Sequence, residues 1–326
     1  MPMQSPTWLK RAWPQLLVLL LILPLNAIVS PGFFNITLQD GRLFGSVIDI
    51  LNRGAPVALL TLGMTLVIAT RGIDLSVGAV MAIAGAVAAT SVNAGHSAFV
   101  SVMFALAAGL GCGLWNGLLV AALQIQPIVA TLILMVAGRG IAQLIAEGRI
   151  VTFVDPHLIS LGGGSLFGFP MPFIIVLIAA AITAILVRLT ALGLFIEAVG
   201  VNAKSSRLAG VNTHATLIFV YIWSGLLAAL AGVIAAADIR GADANNAGLW
   251  LELDAILAVV IGGTSLLGGR FALSLALVGA LTIQALKTGI LRAGFPPEFN
   301  LIVMAVAVAV VLCLQSPALA ALWKRR

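Results

Sequence analysis

Long apolar runs separated by short charged or glycine-containing stretches set the pattern of this chain. Residues 75–138, 156–187, 208–237, 271–286 and 299–323 contain no Asp, Glu, Lys or Arg. One membrane-spanning helix needs roughly 20 apolar residues, so the first interval is long enough for three crossings. The pattern predicts spans at 15–30, 55–70, 75–93, 98–122, 127–146, 171–188, 214–236, 252–268, 271–290 and 300–318. The expected fold is all-α, a polytopic membrane protein of about ten transmembrane helices, some of them short or broken.

Composition narrows the classes further. Of the 326 residues, 61% are hydrophobic and 9% charged, and the mean hydropathy is +1.17. A soluble domain carries roughly 25% charged residues. A soluble Rossmann enzyme, a nucleic-acid-binding protein and a secreted disulfide scaffold are all disfavoured, and residues 1–326 read as a single transmembrane domain. Cys112 and Cys313 each lie inside an apolar run and form no CxxC pair, which argues against a disulfide framework or a zinc site.

The net charge of +6 has a membrane explanation, because Lys and Arg accumulate in short cytoplasmic loops. With Lys10 and Arg11 inside, ten alternating spans return the chain to the cytoplasm, so both termini are expected there. The same alternation puts Arg71, Arg188, Lys204, Arg207, Arg270, Lys324, Arg325 and Arg326 inside, and Arg42, Arg53, Arg149, Arg240 and Arg292 outside. The run from Leu16 to Leu25 could be a signal peptide. The stretch after it is a poor small-x-small cleavage site, so an uncleaved first helix is expected.

Several glycine-bearing stretches need separate readings. Thr70 to Gly78 is either an ordinary cytoplasmic turn or a helix broken at membrane depth, which is tolerated only where protein buries it or a cavity is lined. Gly109, Gly113 and Gly117 recur every fourth residue and predict one close-packing helix face; no G-x-G-x-x-G spacing points to phosphate. Gly162 to Ser165 reads as a flexible outside linker.

No catalytic constellation emerges. His96, His157 and His214 are scattered, without an H-E-x-x-H arrangement, so no metal site is expected. No lysine follows a glycine as a Walker A loop requires, so any ATP-hydrolysing machinery must be another chain. Ionisable residues inside the spans are Asp74, Arg139, Asp254 and Lys287, and such groups are functional candidates by default. Lys287, near a span end, can snorkel; the deep Arg139 fits a structural pairing with a backbone carbonyl about as well as a transport role.

Two polar stretches stand out. Residues 237–254 carry Asp243, Asn245, Asn246, Trp250, Glu252 and Asp254, amides and carboxylates that bond hydroxyls and a ring that stacks on a sugar face. A solvated loop capping the next helix explains them equally well. Residues 192–211 carry Lys204 and Arg207 on a short helix from Ala203 to Leu208 bounded by Gly200 and Gly210, suited either to dock a soluble partner or to serve as a plain basic loop.

The run Gly63 to Thr70 leading into Gly72 to Gly78, the loop Ala198 to Asn202, and Glu252 to Ile256 followed by Val259 to Ser265 resemble the ribose/xylose/arabinose-type permeases of bacterial ABC sugar importers. Residues 237–254 look most like permeases of galactofuranose importers. The resemblance implies an inner-membrane permease paired with a second, identical or homologous copy. It also implies cytoplasmic ATPase subunits, a periplasmic sugar-binding protein and a monosaccharide substrate. This chain would bind no cofactor of its own, ATP being used by the partner. The loop carrying Glu197, Ala198, Gly200, Asn202, Lys204, Arg207 and Gly210 would correspond to the ATPase-coupling loop. Asp74, Asp243, Asn245, Asn246, Trp250, Glu252 and Asp254 would line the translocation pathway or its periplasmic mouth. The competing classes are an ion-coupled secondary transporter acting alone, for which at most Asp74 and Asp254 offer midplane carboxylates, and a membrane assembly subunit without a conduction path.

Overall fold

The computed structural model describes residues 7–39, 41–296, 298–303 and 305–306. Helix α1 (Thr7–Val29) is followed by a hairpin of β1 (Thr37–Gln39) and β2 (Arg42–Phe44), then α2 (Ser46–Arg53), α3 (Ala55–Ala69) and α4 (Val77–Asn93). Next come α5 (Ala98–Ala121), α6 (Pro127–Ile145), β3 (Val151–Thr152), α7 (Pro156–Gly163), β4 (Ser165–Leu166), β5 (Phe169–Pro170) and α8 (Met171–Arg188). The chain continues through α9 (Leu192–Leu208), α10 (Thr213–Ile239), β6 (Gly241–Ala242), α11 (Leu251–Ile261) and α12 (Leu273–Arg292).

Among the described residues α5, α6, α8, α10 and α12 are long and apolar enough to cross a membrane, and α2 with α3 forms a sixth candidate bent by 45°. Gln15–Val29 and α4 are shorter apolar helices. Helices thus stand at the first nine predicted spans, while most of the tenth, 300–318, lies outside the described residues. The eighth differs most: its helix α11 has only 11 residues and stops at Ile261, because Gly263, Gly268 and Gly269 adopt positive φ in the turn that follows. The hydrophobicity pattern also missed α2 and α7, which are too short to register as spans.

Helix α10 is the hub, packed against α3, α4, α5, α7 and α9. Every residue of α3 except Pro56 is buried, as expected of a helix apolar on all sides. Lipid tails are as apolar as Leu, so close van der Waals packing holds such helices together and small residues are favoured where they meet. The glycine stripe supplies that contact. A Cβ at Gly109 would meet Ala229 and the Gly225 carbonyl, one at Gly113 the Tyr221 carbonyl, and one at Gly117 the Cα of Ile218 at 2.9 Å. Gly232, one further turn-pair along α10, receives α4 at Met81 in the same way.

Gly113→Leu should therefore separate α5 from α10 and lower the stability of the detergent-extracted protein by about 1–3 kcal/mol. Gly111, beyond which lies open space, is the control: Gly111→Leu should leave the thermal midpoint unchanged. Equal midpoints for the two variants would refute the packing role of the stripe.

The linker expected at Gly162 to Ser165 is instead structured. Gly162 and Gly163 close α7, whose N-terminus is capped by Asp155 accepting from the Leu158 N–H at 2.8 Å. A Cβ on Gly162 would strike the backbone at Ala237 and Asp238, so this glycine is where α7 meets the end of α10.

Candidate functional site

Two interruptions of regular helix meet inside the bundle. The first is the turn between α3 and α4. Arg71 takes φ 64° and turns its side chain outward, where Nε donates to the Leu267 carbonyl and Nη2 to the Val201 carbonyl, each at 2.8 Å. The chain then runs inward. Asp74 and Ser76 are buried, and the Asp74 carboxylate accepts from the Ser76 N–H at 3.0 Å, the Ser76 hydroxyl at 2.6 Å and the Ser224 hydroxyl at 2.9 Å. Asn116 Nδ2 donates to Ser76 Oγ at 2.8 Å. Thr131 Oγ1 accepts from the Leu75 N–H at 3.2 Å and donates to the Ile73 carbonyl at 3.1 Å, satisfying backbone that no helix satisfies.

Ser224 is eleven residues beyond Thr213 on the 27-residue α10, so the Asp74 cluster lies about 16 Å along a helix about 40 Å long. Of the two readings left open for Thr70 to Gly78, a turn exposed at Arg71 and a break enclosed in the protein, each describes one half of the segment. Two polar atoms at the cluster, Asn116 Oδ1 and the Tyr221 hydroxyl, are buried without a hydrogen-bond partner among the described residues.

The second interruption covers residues 243–250. After β6 pairs with β3 (Val151 opposite Ala242, Thr152 opposite Gly241), the chain turns back along α4 before α11 begins. A Cβ on Gly78, in the first turn of α4, would meet the Gly248 carbonyl and Glu252 Oε2, which fixes how deeply this segment reaches. Its carbonyls are served by Arg139, whose Nη1 donates to Ala244 at 3.1 Å and Ala247 at 2.6 Å. The deep arginine thus pairs with backbone oxygens. Of the two readings left open for 237–254, the solvated loop describes Asn245, Asn246, Leu249 and Trp250 but not Gly241, Ala242, Ala244, Glu252 and Asp254, which are buried.

Most of the polar groups singled out there bond within the protein. Asp243 accepts from the Asn245 and Asn246 N–H groups at 3.0 and 3.1 Å and from Asn246 Nδ2 at 2.8 Å, a local turn. Asn245 Oδ1 accepts from Gln143 Nε2 at 2.8 Å. Trp250 is half exposed at φ 65°. Glu252 and Asp254 occupy the first turn of α11, favourable beside its N-terminal dipole, and Asp254 accepts from Lys287 of α12. Lys287 does not snorkel: it forms a largely buried ion pair across two helices.

At the end of the bundle where Arg71 emerges, α9 bends at Asn202, whose φ of −159° and ψ of 99° divide it in two. Asn202 Oδ1 caps the second half by accepting from the Ser205 N–H at 2.9 Å, which delivers the short helix expected from Ala203 to Leu208. Asn202, Lys204, Arg207 and Gly210 are exposed, as is Leu208 at 84%, whereas Glu197 and Ala198 are half-buried. Gly200 is not presented outward: a Cβ there would collide with the Ala69 carbonyl and the Gly269 N–H, which bond each other at 2.8 Å. Arg207 is held by Thr213 Oγ1 at 3.2–3.3 Å and contacts His214 Nε2 at 3.1 Å.

Sequence reasoning missed Asn116, Thr131, Gln143, Tyr221 and Ser224. Asn116, Thr131, Tyr221 and Ser224 are isolated polar groups in apolar runs and Gln143 lies between Arg139 and Glu147, signals available in the chain but without a partner until the helices pack. Among the described residues no group of His, Cys, Asp and Glu is placed to hold a metal.

Residues 46–312 match the family described as the branched-chain amino acid transport system / permease component. The galactofuranose transporter permease YtfT of Escherichia coli is 63% identical over 303 residues, covering 93% of this chain and 89% of that protein. The fructose import permease FruF of Bifidobacterium longum is 43% identical over 284 residues, with coverages of 86% and 80%. The ribose import permease RbsC of Escherichia coli is 37% identical over 306 residues, with coverages of 91% and 92%. An ABC transporter solved in an inward-facing conformation shares the fold at a TM-score of 0.50 and 15% identity, covering 95% of this chain and all of that one. The helical membrane architecture and these relatives place the chain in this permease family, as the multi-pass membrane transport subunit of a bacterial ABC sugar importer.

Proposed function

We propose that this permease imports a furanose-form monosaccharide of the galactofuranose type, delivered by a periplasmic binding protein and driven by a separate ATPase on the cytoplasmic side. The 63% identity over 93% of the chain to a galactofuranose transporter permease is the observation that carries the substrate. In this reading residues 1–326 form one transmembrane domain that pairs with a second permease copy. Asp74, Asp243, Asn245, Asn246, Trp250, Glu252 and Asp254 shape the pathway or its outer mouth. The α9 loop from Glu197 to Gly210 engages the ATPase, with Lys204, Arg207 and Leu208 as its accessible residues and Gly200 as its seat.

The ten-span arrangement with cytoplasmic termini is supported by the sorting of charges to two ends. Arg71, Val201 and Leu267 come together at one end, while Arg42 bonds the Gly163 carbonyl and Arg292 bonds Asp49 at the other. An impermeant thiol reagent added outside should label a cysteine at Gly163 and spare one at Arg326. Labelling at Arg326 would overturn the orientation.

The substrate is tested by reconstituting the permease with its ATPase and binding protein in proteoliposomes. ATP-dependent uptake of labelled galactofuranose, competed poorly by ribose and fructose, is expected. Uptake of ribose or fructose alone would reassign the sugar. Permease without the binding protein should show no sugar binding in the micromolar range, since a tight site would trap its cargo.

A further inference from the structure

Between the end of α2, the start of α3, the last turns of α10 and the C-terminal half of α12 lies a cavity of about 600 Å³. That volume falls within the roughly 300–1,000 Å³ usual for small-molecule sites. It opens at the end opposite α9, beside Arg53, Asp238 and the Asp49–Arg292 ion pair of 3.1 Å, and reaches inward to Gln284 and Lys287. Gln284 and Arg292 are eight residues apart on one helix, so the cavity is about 12 Å deep along α12.

Three amides (Asn52, Gln284 and Asn300) and the Thr288 hydroxyl stand among three cations. Two of the three cations face a carboxylate, Arg292 facing Asp49 and Lys287 facing Asp254, while Arg53 and Asp238 both line the wall. With Lys287 and Arg292 already neutralised in ion pairs and amides and a hydroxyl between them, the lining suits a neutral, hydroxyl-rich ligand better than a sugar acid or a phosphate. Buried charges and amides at membrane depth are costly and are kept where they line an aqueous path. The Asn300 Oδ1 atom, buried and without a partner among the described residues, adds an acceptor at the wall.

We propose that this cavity is a binding site for a neutral monosaccharide within each permease chain, with Lys287, Gln284 and Thr288 as its inner hydrogen-bonding groups. The site is distinct in place from the segment 243–250. Within it Gln284 Nε2 donates to Thr288 Oγ1 at 3.4 Å, Lys287 to Asp254 and Arg292 to Asp49, so a ligand would share or replace these bonds. It rests on the monosaccharide reading above, and its tests are chosen to fail separately.

In the complete importer with Cys112 and Cys313 replaced by Ala, Asn52→Cys and Thr288→Cys would be treated from outside with a membrane-impermeant thiosulfonate. Both should react, and millimolar transported sugar should slow the reaction several-fold, while a sugar phosphate should not. Labelling at the same rate with and without sugar, or no labelling at either position, overturns the site. The Lys287→Gln/Asp254→Asn pair removes both charges together, so no buried charge is left alone. It should insert and bind the ATPase normally yet take up sugar several-fold more slowly, chiefly through a higher KM; normal uptake by this variant also overturns the site. If the unmodified importer carries no neutral monosaccharide, the sugar reading fails instead.

Discussion

Gly200→Trp is expected to abolish ATP-driven uptake while the permease still inserts in the membrane. Gly200 is where α9 rests on two backbones at once, the last turn of α3 at Ala69 and the turn after α11 at Gly269. A large side chain cannot be accommodated by rotating a neighbour, because the obstructing atoms are main chain. The short helix from Ala203 to Leu208 must then leave its place, and a tenfold loss of ATPase engagement requires only about 1.4 kcal/mol. Arg207→Glu separates docking from seating: Arg207 is exposed and its bonds to Thr213 and His214 are local, so charge reversal should weaken ATPase association with little change in thermal midpoint. Co-purification of the ATPase and sugar-stimulated ATP hydrolysis measure both. Normal ATPase binding and uptake in the two variants would remove α9 from the coupling role.

The second large effect is expected at Asp74. Its carboxylate gathers three donors at the break between α3 and α4, so Asp74→Ala strands the hydroxyls of Ser76 and Ser224 in a buried site. A hydrogen bond contributes about 0.5–1.5 kcal/mol net, and a stranded buried donor costs about 1–3 kcal/mol. Loss of several kcal/mol, a clearly lower thermal midpoint and strongly reduced uptake should follow. Asp74→Asn, which keeps one carbonyl acceptor and lets the Ser224 hydroxyl rotate to accept, should retain more of both. A midpoint for Asp74→Ala equal to that of the parent would show that the cluster does not hold the broken helix together.

The charges at the two bundle ends explain why the span pattern was legible. Apolar runs as long as 98–121 and 213–239 have no other stable solution in a bilayer, where each backbone group must be satisfied within its own helix. The glycine stripe on α5 was legible for the same reason, since only a missing side chain admits α10 so closely. Arg139 was legible as a structural pairing, but its partners, Ala244 and Ala247, lie more than a hundred residues away and are backbone atoms that no residue type advertises. Lys287 was misread because its closeness to a predicted span end favours snorkelling, whereas the packing of α11 on α12 offers Asp254 instead.

By itself, then, the sequence determined the membrane class, the approximate positions of nine helices, the close-packing face of α5 and, through its motifs, the sugar-permease family. These follow from local properties: hydropathy, charge and side-chain size act within one helix or one turn. Only the tertiary structure decided that residues 243–250 insert along α4, that Asp74 is bonded by Ser76 and Ser224 with Asn116 behind Ser76, that Gly200 packs against the backbone at Ala69 and Gly269, and that a cavity with charged and amide side chains in its wall opens beside α12. Each of these depends on atoms brought together from distant helices. In an apolar bundle the interhelical fit is set by shape and by a few hydrogen bonds, which no single run of residues specifies.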